Sequence, residues 1–359
     1  MRIISPLLKR VVYPSLAKAG AFRHKPADGL SIVTYHGIIP RDYEPVDPTI
    51  DGSLVKAETF RFQLRLLKKN YNVISPDQLL HWCENECNLP PRAVLVTCDD
   101  GLLNAATEML PILQEQKVSC LFFALGLSAS DSPGMLRYEE LYLMLLAAPA
   151  GAFSVALNGL EIVGDLGTGE QRRALWRQLL RFLFKCDCEG SSQFMELMRL
   201  KLGLGANWKA AYLGDTARIR RFSLMSANEL RVLLSAGMAI GAHTLSHPML
   251  SQLPAEKAKF EIAEGRKRLE TALRAPIWAF AYPFGGSDSV SSRELVMAQE
   301  AGFKSAFLSF GGGFGADLPR YALPRIHVTS EMNLAEFEAH VSGFHNSLQR
   351  KLGRIPRIA

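Results

Sequence analysis

Two adjacent carboxylates, Asp99 and Asp100, stand where a buried strand is predicted to end. The run before them, residues 93–98, is apolar and rich in valine, which is typical of a parallel strand buried on both faces. In a regular strand the two carboxylates would point to opposite faces, so they can share one site only if the backbone turns there. Gly101 makes that turn accessible. Two buried carboxylates repel each other unless a cation neutralises one of them, which predicts a metal site.

Two histidines far downstream are the best partners for such a site. A second apolar run, residues 239–242, leads into His243, and His247 follows directly before Pro248. Proline disfavours helical geometry at the residue before it, so both imidazoles should lie on a turn at a strand end and converge on one ion. Two neutral imidazoles and one carboxylate, with positions left for water, form a usual ligand set of catalytic zinc. The other aspartate is then free to act as a base.

The chain resembles the polysaccharide deacetylases of the NodB-homology type, carbohydrate esterase family 4. The motifs that carry the resemblance occur in the family's order: Thr97-Cys-Asp-Asp-Gly101, His243-Thr-Leu-Ser-His247, Tyr282-Pro-Phe-Gly285 and Pro324-Arg-Ile-His327. A further motif, Thr34-Tyr-His-Gly37, is similar to the strand opening of the branch that acts on exported poly-N-acetylglucosamine. The resemblance covers residues 30–128 and 222–330, and its motifs are specific only in combination.

The resemblance implies a metal-dependent hydrolase that removes N-acetyl groups from an N-acetylated sugar or polysaccharide. Asp99 would be the general base, taking a proton from the metal-bound water that attacks the amide, and His327 would protonate the departing amine. Asp100, His243 and His247 would hold a divalent metal, and zinc is the expected ion.

The resemblance also implies a substrate groove lined by His36, Tyr282 and Phe284. A backbone N–H near Phe284 would help to hold the oxyanion. Two departures from the family stand out. Ala281 occupies the position where the family often has the arginine that orients the base, and only Asp317 is available in place of the Asp-and-Trp motif that supports the acid. Both departures favour the exopolysaccharide branch or a slow enzyme.

Strand and helix patterns alternate through most of the chain, which predicts right-handed parallel crossovers. The resemblance implies an α/β fold, a distorted (β/α)7-type barrel, whose strand ends would gather the site on one face. Asn158-Gly159, between two β-prone runs, predicts a hairpin in an insertion. The expected organisation is a basic N-terminal arm (1–29), the first part of the barrel (30–131), an inserted cap of helices and a hairpin (132–221), the second part of the barrel (222–330), and a C-terminal helix with a basic tail (331–359).

Composition and charge exclude some classes of function. The chain is 48% hydrophobic and 21% charged, as in globular proteins, which excludes wholesale disorder. A net charge of +6 permits contact with acidic surfaces, but no stripe of basic and aromatic residues suggests nucleic-acid binding. The six cysteines lack zinc-ribbon spacing, and we expect reduced thiols.

The first 25 residues are basic, and they contain neither the apolar core of a signal peptide nor a membrane span. We expect a surface helix in a cytoplasmic protein, and contact of this helix with the inner face of a membrane is the alternative. Two other functions stay open. One is amide hydrolysis on a lipid-linked sugar, and the other is non-catalytic carbohydrate binding or exopolysaccharide assembly on a degenerate deacetylase fold. The sequence leaves the oligomeric state open.

Overall fold

The computed structural model describes residues 6–22, 29–132, 134–312 and 318–351. The strands are β1 Leu30–Tyr35, β2 Asn72–Val73, β3 Ala93–Cys98, β4 Leu121–Ala124, β5 Ala152–Leu157, β6 Leu160–Asp165, β7 Ala239–Ala242, β8 Ala279–Ala281, β9 Ser305–Gly311 and β10 Leu323–His327. The α-helices are α1 Tyr13–Lys18, α2 Pro48–Asp51, α3 Ala57–Asn70, α4 Pro76–Cys83, α5 Leu110–Gln116, α6 Arg137–Ala147, α7 Gly169–Leu183, α8 Cys188–Lys201, α9 Trp208–Tyr212, α10 Thr216–Phe222, α11 Ala227–Ser235, α12 Ala255–Leu273, α13 Ser292–Glu300, α14 Leu334–Val341 and α15 Phe344–Lys351. Short π-helical turns cover Leu8–Val12 and Ala105–Met109, and 3-10 turns cover Gly126–Ala129 and Leu250–Gln252.

Seven parallel strands close into a barrel in the order β1, β10, β9, β8, β7, β4 and β3, with β3 pairing back onto β1. The short strand β2 pairs in parallel with Ala93 and Val94, the first two residues of β3. This arrangement confirms the predicted (β/α)7-type barrel. Because all seven strands are parallel, their carboxyl ends lie at one rim. Residues that follow β1, β3, β7, β8 and β10 therefore meet there.

Alternation along the strands separates two cores. On β1, Leu30 and Ile32 belong to a cluster inside the barrel, whereas Val33 and Tyr35 belong to the larger cluster between strands and helices. This period of two is the side-chain period of any strand. It also decides which residues at a strand end can face the barrel axis.

The two ends of helix α11 determine where β7 begins. Helix α11 begins at Ser226, whose side chain and Glu229 form a reciprocal capping box. The helix ends before Gly237, which has a φ of +79° and so turns the chain directly into β7. His243 is therefore the first residue beyond the strand.

Helices α6 to α10 together with β5 and β6 form a cap with its own hydrophobic core. The predicted hairpin is confirmed, because β5 and β6 pair antiparallel around Asn158 and Gly159, which both have positive φ. The two ends of this segment meet through an antiparallel bridge between Met135 and Ser223. The cap is thus rooted at one place on the barrel rim.

A buried ion cluster fixes that root. The Arg221 guanidinium is fully buried and lies 2.7 Å from Asp51 Oδ1 and 2.7 Å from Glu139 Oε1. Asp51 is the last residue of the short helix α2, which follows β1, and Glu139 lies in the first turn of α6. Burial raises the pKa of Glu139 to about 7, against the opposing charge of Arg221. Removing one partner of such a cluster typically costs about 3–5 kcal/mol, so the cluster holds the start of α6 firmly against the barrel.

The N-terminal helix packs on the C-terminal helices. Tyr13 and Phe22 form a small cluster with Ala339, and the Tyr13 hydroxyl lies 2.7 Å from His345 Nδ1. Much of the apolar face of this segment is therefore used inside the protein. No helix in the described part of the chain is long and apolar enough to cross a bilayer. All six cysteines are free thiols, as expected.

Candidate metal centre and active site

The end of β3 brings both carboxylates to the rim. Asp99 and Asp100 are only 2% and 3% exposed. Asp100 has a φ of +71° and Gly101 a φ of +67°, so the strand breaks immediately after Asp99. A Cβ atom on Gly101 would lie 3.2 Å from the Ala124 Cα, and its positive φ also favours glycine. The turn inferred from Gly101 is confirmed, and it directs the two adjacent carboxylates to neighbouring partners.

Asp100 meets both histidines. Its Oδ1 lies 3.4 Å from His243 Nε2 and 3.3 Å from His247 Nε2. Two atoms bound to one tetrahedral zinc at 2.0–2.1 Å are about 3.3–3.4 Å apart, which matches these separations. The His243 Nδ1–H donates to the Ala281 carbonyl over 2.7 Å, so the lone pair of this imidazole is on Nε2 and faces Asp100. These three residues therefore fit a divalent ion.

The protonation states of Asp100 and His247 also suit metal binding. Burial alone would raise the pKa of Asp100, but the nearby His36, His243 and His247 imidazoles hold it well below its usual range. Burial lowers the pKa of His247. An ionised carboxylate and a neutral imidazole are the forms that bind metals, and both are the dominant forms at neutral pH.

Glu261 on α12 holds the turn between the two histidines. Its fully buried carboxylate accepts hydrogen bonds from the Leu245 N–H at 3.1 Å, the Ser246 N–H at 2.9 Å and the Ser246 Oγ at 2.8 Å. Within the same turn the Thr244 Oγ1 accepts from the His247 N–H, and both of these residues have positive φ. A strained turn persists only where its surroundings fix it, which identifies Glu261 as a positioning residue.

We predict that Glu261→Gln weakens zinc binding while the protein stays folded. The amide nitrogen cannot accept a hydrogen bond, so the turn loses part of its support, and loss of such an outer contact typically lowers metal affinity about 10–100-fold. Competition with a chromophoric chelator would measure the affinity, and thermal unfolding would report the fold. Glu256→Gln, an exposed change on the same helix, is the matched control. Equal zinc affinity in both variants would contradict the role of Glu261.

Asp99 does not face the histidines but Arg325. The guanidinium binds the carboxylate through both ends, Nη1 to Oδ1 at 2.7 Å and Nη2 to Oδ2 at 2.5 Å. It is fixed in turn by the Leu308 carbonyl and the Thr97 hydroxyl. Burial alone would raise the pKa of Asp99, but the charge of Arg325 outweighs it and lowers that pKa. Asp99 is therefore ionised at neutral pH.

Sequence reasoning missed Arg325. Because Ala281 lacks the expected guanidinium, the sequence suggested that Asp99 had no arginine partner. A signal was present, since Arg325 stands two residues before His327 on β10 and therefore shares its face of the strand. The structure shows that a guanidinium reaches Asp99 from β10 instead of from Ala281, the last residue of β8.

His36 and His327 stack on each other beside the carboxylates, with ring centroids 4.5 Å apart. Both are half-buried, and neither His36 Nδ1 nor His327 Nε2 has a hydrogen-bond partner within the described residues. Burial, together with the neighbouring His36, lowers the pKa of His327 to about 3. His327 is therefore neutral at neutral pH, and any proton that it gives to an amine must reach it during the reaction.

The two residues of the third motif that were predicted to line the groove, Tyr282 and Phe284, lie in different surroundings. Tyr282 is fully buried, its hydroxyl donates to the Tyr321 carbonyl at 2.9 Å, and the structure does not place it in the groove. The reason is alternation: Ala281 faces the barrel interior, so Tyr282 faces the helices. Phe284 has a φ of +62° and its ring lies 4.8 Å from the His247 ring. Asp317 lies outside the described residues.

Comparison with known proteins finds similarity to polysaccharide deacetylases. Residues 206–306 match the family model of polysaccharide deacetylase. YxkH of Bacillus subtilis, whose name places it among polysaccharide deacetylases, is 22% identical over 117 residues, which are 33% of this chain and 41% of that protein. The match thus spans less than half the length of that relative.

Solved deacetylase structures share the fold. The deacetylase PplD of Streptococcus pyogenes, in complex with acetate, aligns with a TM-score of 0.54 at 15% identity over 88% of this chain and 99% of that chain. IcaB from Ammonifex degensii aligns with a TM-score of 0.52 and 17% sequence identity, over 88% of this chain and 97% of that chain. The de-N-acetylase of Aggregatibacter actinomycetemcomitans aligns with a TM-score of 0.52 and 14% sequence identity, over 87% of this chain and 100% of that chain. The chain is therefore similar to polysaccharide deacetylases in sequence over residues 206–306 and in the fold of most of its length.

Proposed function

We propose that this protein is a metal-dependent hydrolase that removes the N-acetyl group of an N-acetylated sugar. The observation that carries the proposal is the placement of Asp100, His243 and His247 at one rim of the barrel, next to the Asp99–Arg325 pair. A metal triad beside an ionised carboxylate is an arrangement that can catalyse amide hydrolysis by water.

In the proposed reaction the metal, Asp99 and the Phe284 N–H would have separate roles. A bound divalent ion, zinc being expected, would polarise the amide carbonyl and acidify water. Asp99 would accept the proton of the attacking water on a lone pair that Arg325 leaves unused, since a carboxylate offers about four such positions. The Phe284 N–H, which makes no hydrogen bond within the described part of the chain, would donate to the carbonyl oxygen as it gains charge.

The departing nitrogen must be protonated before the C–N bond breaks. His327 would give this proton after receiving it during the reaction, because it is neutral in the free protein. Its Nε2 and the neighbouring His36 Nδ1 are buried and unpartnered among the described residues, so they are suited to bond the sugar or its amine. The products are acetate and a sugar with a free amino group.

The exopolysaccharide branch is the substrate class that we favour, with poly-N-acetylglucosamine as the polymer. Two sequence features support it: the Thr34-Tyr-His-Gly37 motif and the absence of an arginine at Ala281. The similarity to a structure named as a de-N-acetylase agrees with an amide rather than an ester.

A non-catalytic sugar-binding protein was suggested by the missing arginine and by the large insertion. Arg325 supplies to Asp99 the contact whose absence motivated the first of these two arguments. The insertion is present as a cap with its own core, so the second argument still stands.

Acetate release from penta-N-acetylchitopentaose tests the proposal. Zinc-loaded protein should carry about one ion per chain by elemental mass spectrometry and should release acetate. Protein dialysed against a chelator should release none until zinc is added back. Binding of the oligosaccharide by zinc-loaded protein without any acetate release would favour the non-catalytic function instead.

A further inference from the structure

The N-terminal segment has apolar side chains on two sides. Its inner side packs Tyr13 and Phe22 against residues of α14 and α15. On its outer side, Leu7 and Val11 are 63% and 53% exposed. They stand four residues apart in a helical stretch, so they lie on one surface of it. The packing on α14 and α15 accounts for the inner side only, and the described residues leave the outer pair facing solvent.

A third exposed apolar side chain is held near this pair. The Lys9 carbonyl, between Leu7 and Val11, accepts a hydrogen bond from the Asn333 Nδ2 at 3.0 Å. Leu334, the first residue of α14, directly follows Asn333 and is 43% exposed. We call Leu7, Val11 and Leu334 the apolar patch. Exposed apolar residues that occur singly need no explanation, but a group of them marks a surface that meets a partner.

Positive charge accompanies the patch. Residues 6–22 contain no acidic residue. Arg10 and Lys18 are exposed, and neither forms an ion pair within the described part of the chain. The nearby carboxylate of Glu336 is already neutralised by Lys9, whose Nζ lies 3.2 Å from its Oε2. Apolar side chains beside unpaired cations are the chemistry that an anionic lipid surface attracts.

The patch lies toward the active-site end of the barrel. Strand β10 ends with His327 at the rim, and α14 begins with Leu334 shortly after it. The other end of α14 lies at the opposite end of the barrel, because the Val341 carbonyl accepts a hydrogen bond at 2.9 Å from Ser31 Oγ, at the start of β1. A surface bound to the patch would therefore lie beside the rim that carries the metal centre.

We propose that the apolar patch binds the surface of an anionic lipid bilayer. Leu7, Val11 and Leu334 insert among the lipids, and Arg10 and Lys18 lie at the phosphate headgroups. Apolar burial and electrostatic attraction add in this kind of binding. The contact holds the active-site rim next to the bilayer, which makes an N-acetylated sugar attached to a membrane lipid the substrate class. This last step rests on the proposed function, whereas the membrane contact does not.

Co-sedimentation of the full chain with lipid vesicles tests the contact. The protein should bind vesicles of phosphatidylcholine and phosphatidylglycerol in equal amounts, bind phosphatidylcholine alone weakly, and dissociate as salt screens the charges. Leu7→Ser with Val11→Ser should weaken binding about tenfold or more, because the buried apolar area is lost. Arg10→Gln with Lys18→Gln should weaken it about fivefold for each charge removed.

Matched changes elsewhere serve as controls, and thermal unfolding checks that every variant is folded. Val232→Ser with Val296→Ser removes two side chains of similar exposure from α11 and α13, and Arg177→Gln with Arg181→Gln removes two exposed charges from α7. Both should bind as wild type does. Absence of binding to the anionic vesicles, or equal losses in patch and control variants, would overturn the inference. So would a dimer that Leu7→Ser with Val11→Ser dissociates, if vesicles do not bind, because a second copy would then cover the patch.

Acetate release tests the substrate class separately. With a dialkyl glycoside of N-acetylglucosamine in the anionic vesicles, zinc-loaded wild type should be about tenfold or more faster than Leu7→Ser with Val11→Ser. Both proteins should release acetate equally from soluble penta-N-acetylchitopentaose. Equal rates on the vesicle-bound sugar would reject the lipid-attached substrate. Vesicle binding without acetate release from either sugar would support the membrane contact and reject the proposed function.

Discussion

Replacing Asp99 by asparagine is expected to lower kcat by about 10²–10⁴-fold while zinc stays bound, since this is the usual contribution of a general base. Asparagine keeps the shape of the side chain but cannot take a proton from water. Asp99 faces Arg325 and lies outside the Asp100, His243 and His247 triad, so the metal should be retained. Single-turnover acetate release, with zinc content measured on the same sample, would give both quantities.

The matched comparison is His247→Ala, which removes a triad member and should lose zinc and turnover together. Asp99→Asn should lose turnover alone. The thermal stability of both variants must also be measured. Asp99→Asn leaves the Arg325 guanidinium buried against a neutral group, which destabilises the fold. Undiminished turnover in a folded Asp99→Asn protein would remove this residue from the role of base.

The triad was predictable because its members follow predicted strands. Asp100 comes after β3 and His243 after β7, and parallel strands bring such positions to one rim whatever the details of packing. Short apolar runs, capping residues and the turn at Gly101 were sufficient to place these strand ends. The strand ends that carry the triad thus depend on local signals that are visible in one chain, whereas the closure of the strands into a seven-stranded barrel was expected only from the family resemblance.

The supporting contacts depend on tertiary packing and were not predictable in the same way. Glu261 reaches the histidine turn only because α12 approaches it closely, and a Cβ atom on Gly265 would lie 2.5 Å from the Thr244 carbonyl carbon. Tyr138 reaches His247 only because a buried ion cluster sets the angle of α6. No periodicity in the sequence reports either approach.

Tyr282 illustrates a different limit. Its position in a family motif suggested a place in the groove, but the alternation of β8 turns its side chain toward the helices. The same rule, applied to β10, would have found Arg325 on the face of His327. Within these two motifs, strand parity therefore decides which side chain reaches the site: Arg325 does, and Tyr282 does not.

Arg325→Met is expected to shift the pH dependence of kcat/KM and to destabilise the protein. In the wild type, the charge of Arg325 outweighs burial and keeps the pKa of Asp99 below its ordinary value of 3.8. The stability that the pair contributes is therefore present above about pH 4 and is lost as the pH falls through the pKa of folded Asp99. Without the guanidinium, burial raises that pKa, so Asp99 becomes protonated at higher pH and activity falls first on the acidic side. Removing one partner of such a pair should cost about 3–5 kcal/mol at neutral pH, and less where Asp99 is protonated.

A pH profile of kcat/KM, with urea unfolding at two pH values, would check both effects. Arg325→Lys keeps the charge but loses the two-ended contact, so its acidic limb should lie between those of wild type and Arg325→Met. The double variant Asp99→Asn with Arg325→Met tests whether Arg325 affects turnover only through Asp99. If Arg325 acts only by orienting Asp99 and keeping it ionised, the double variant should have the same kcat as Asp99→Asn alone, because the asparagine can no longer accept a proton. An additional large loss in the double variant would instead mean that Arg325 contacts the substrate, and an unshifted acidic limb in Arg325→Met would mean that Asp99 is not the group whose ionisation limits the reaction.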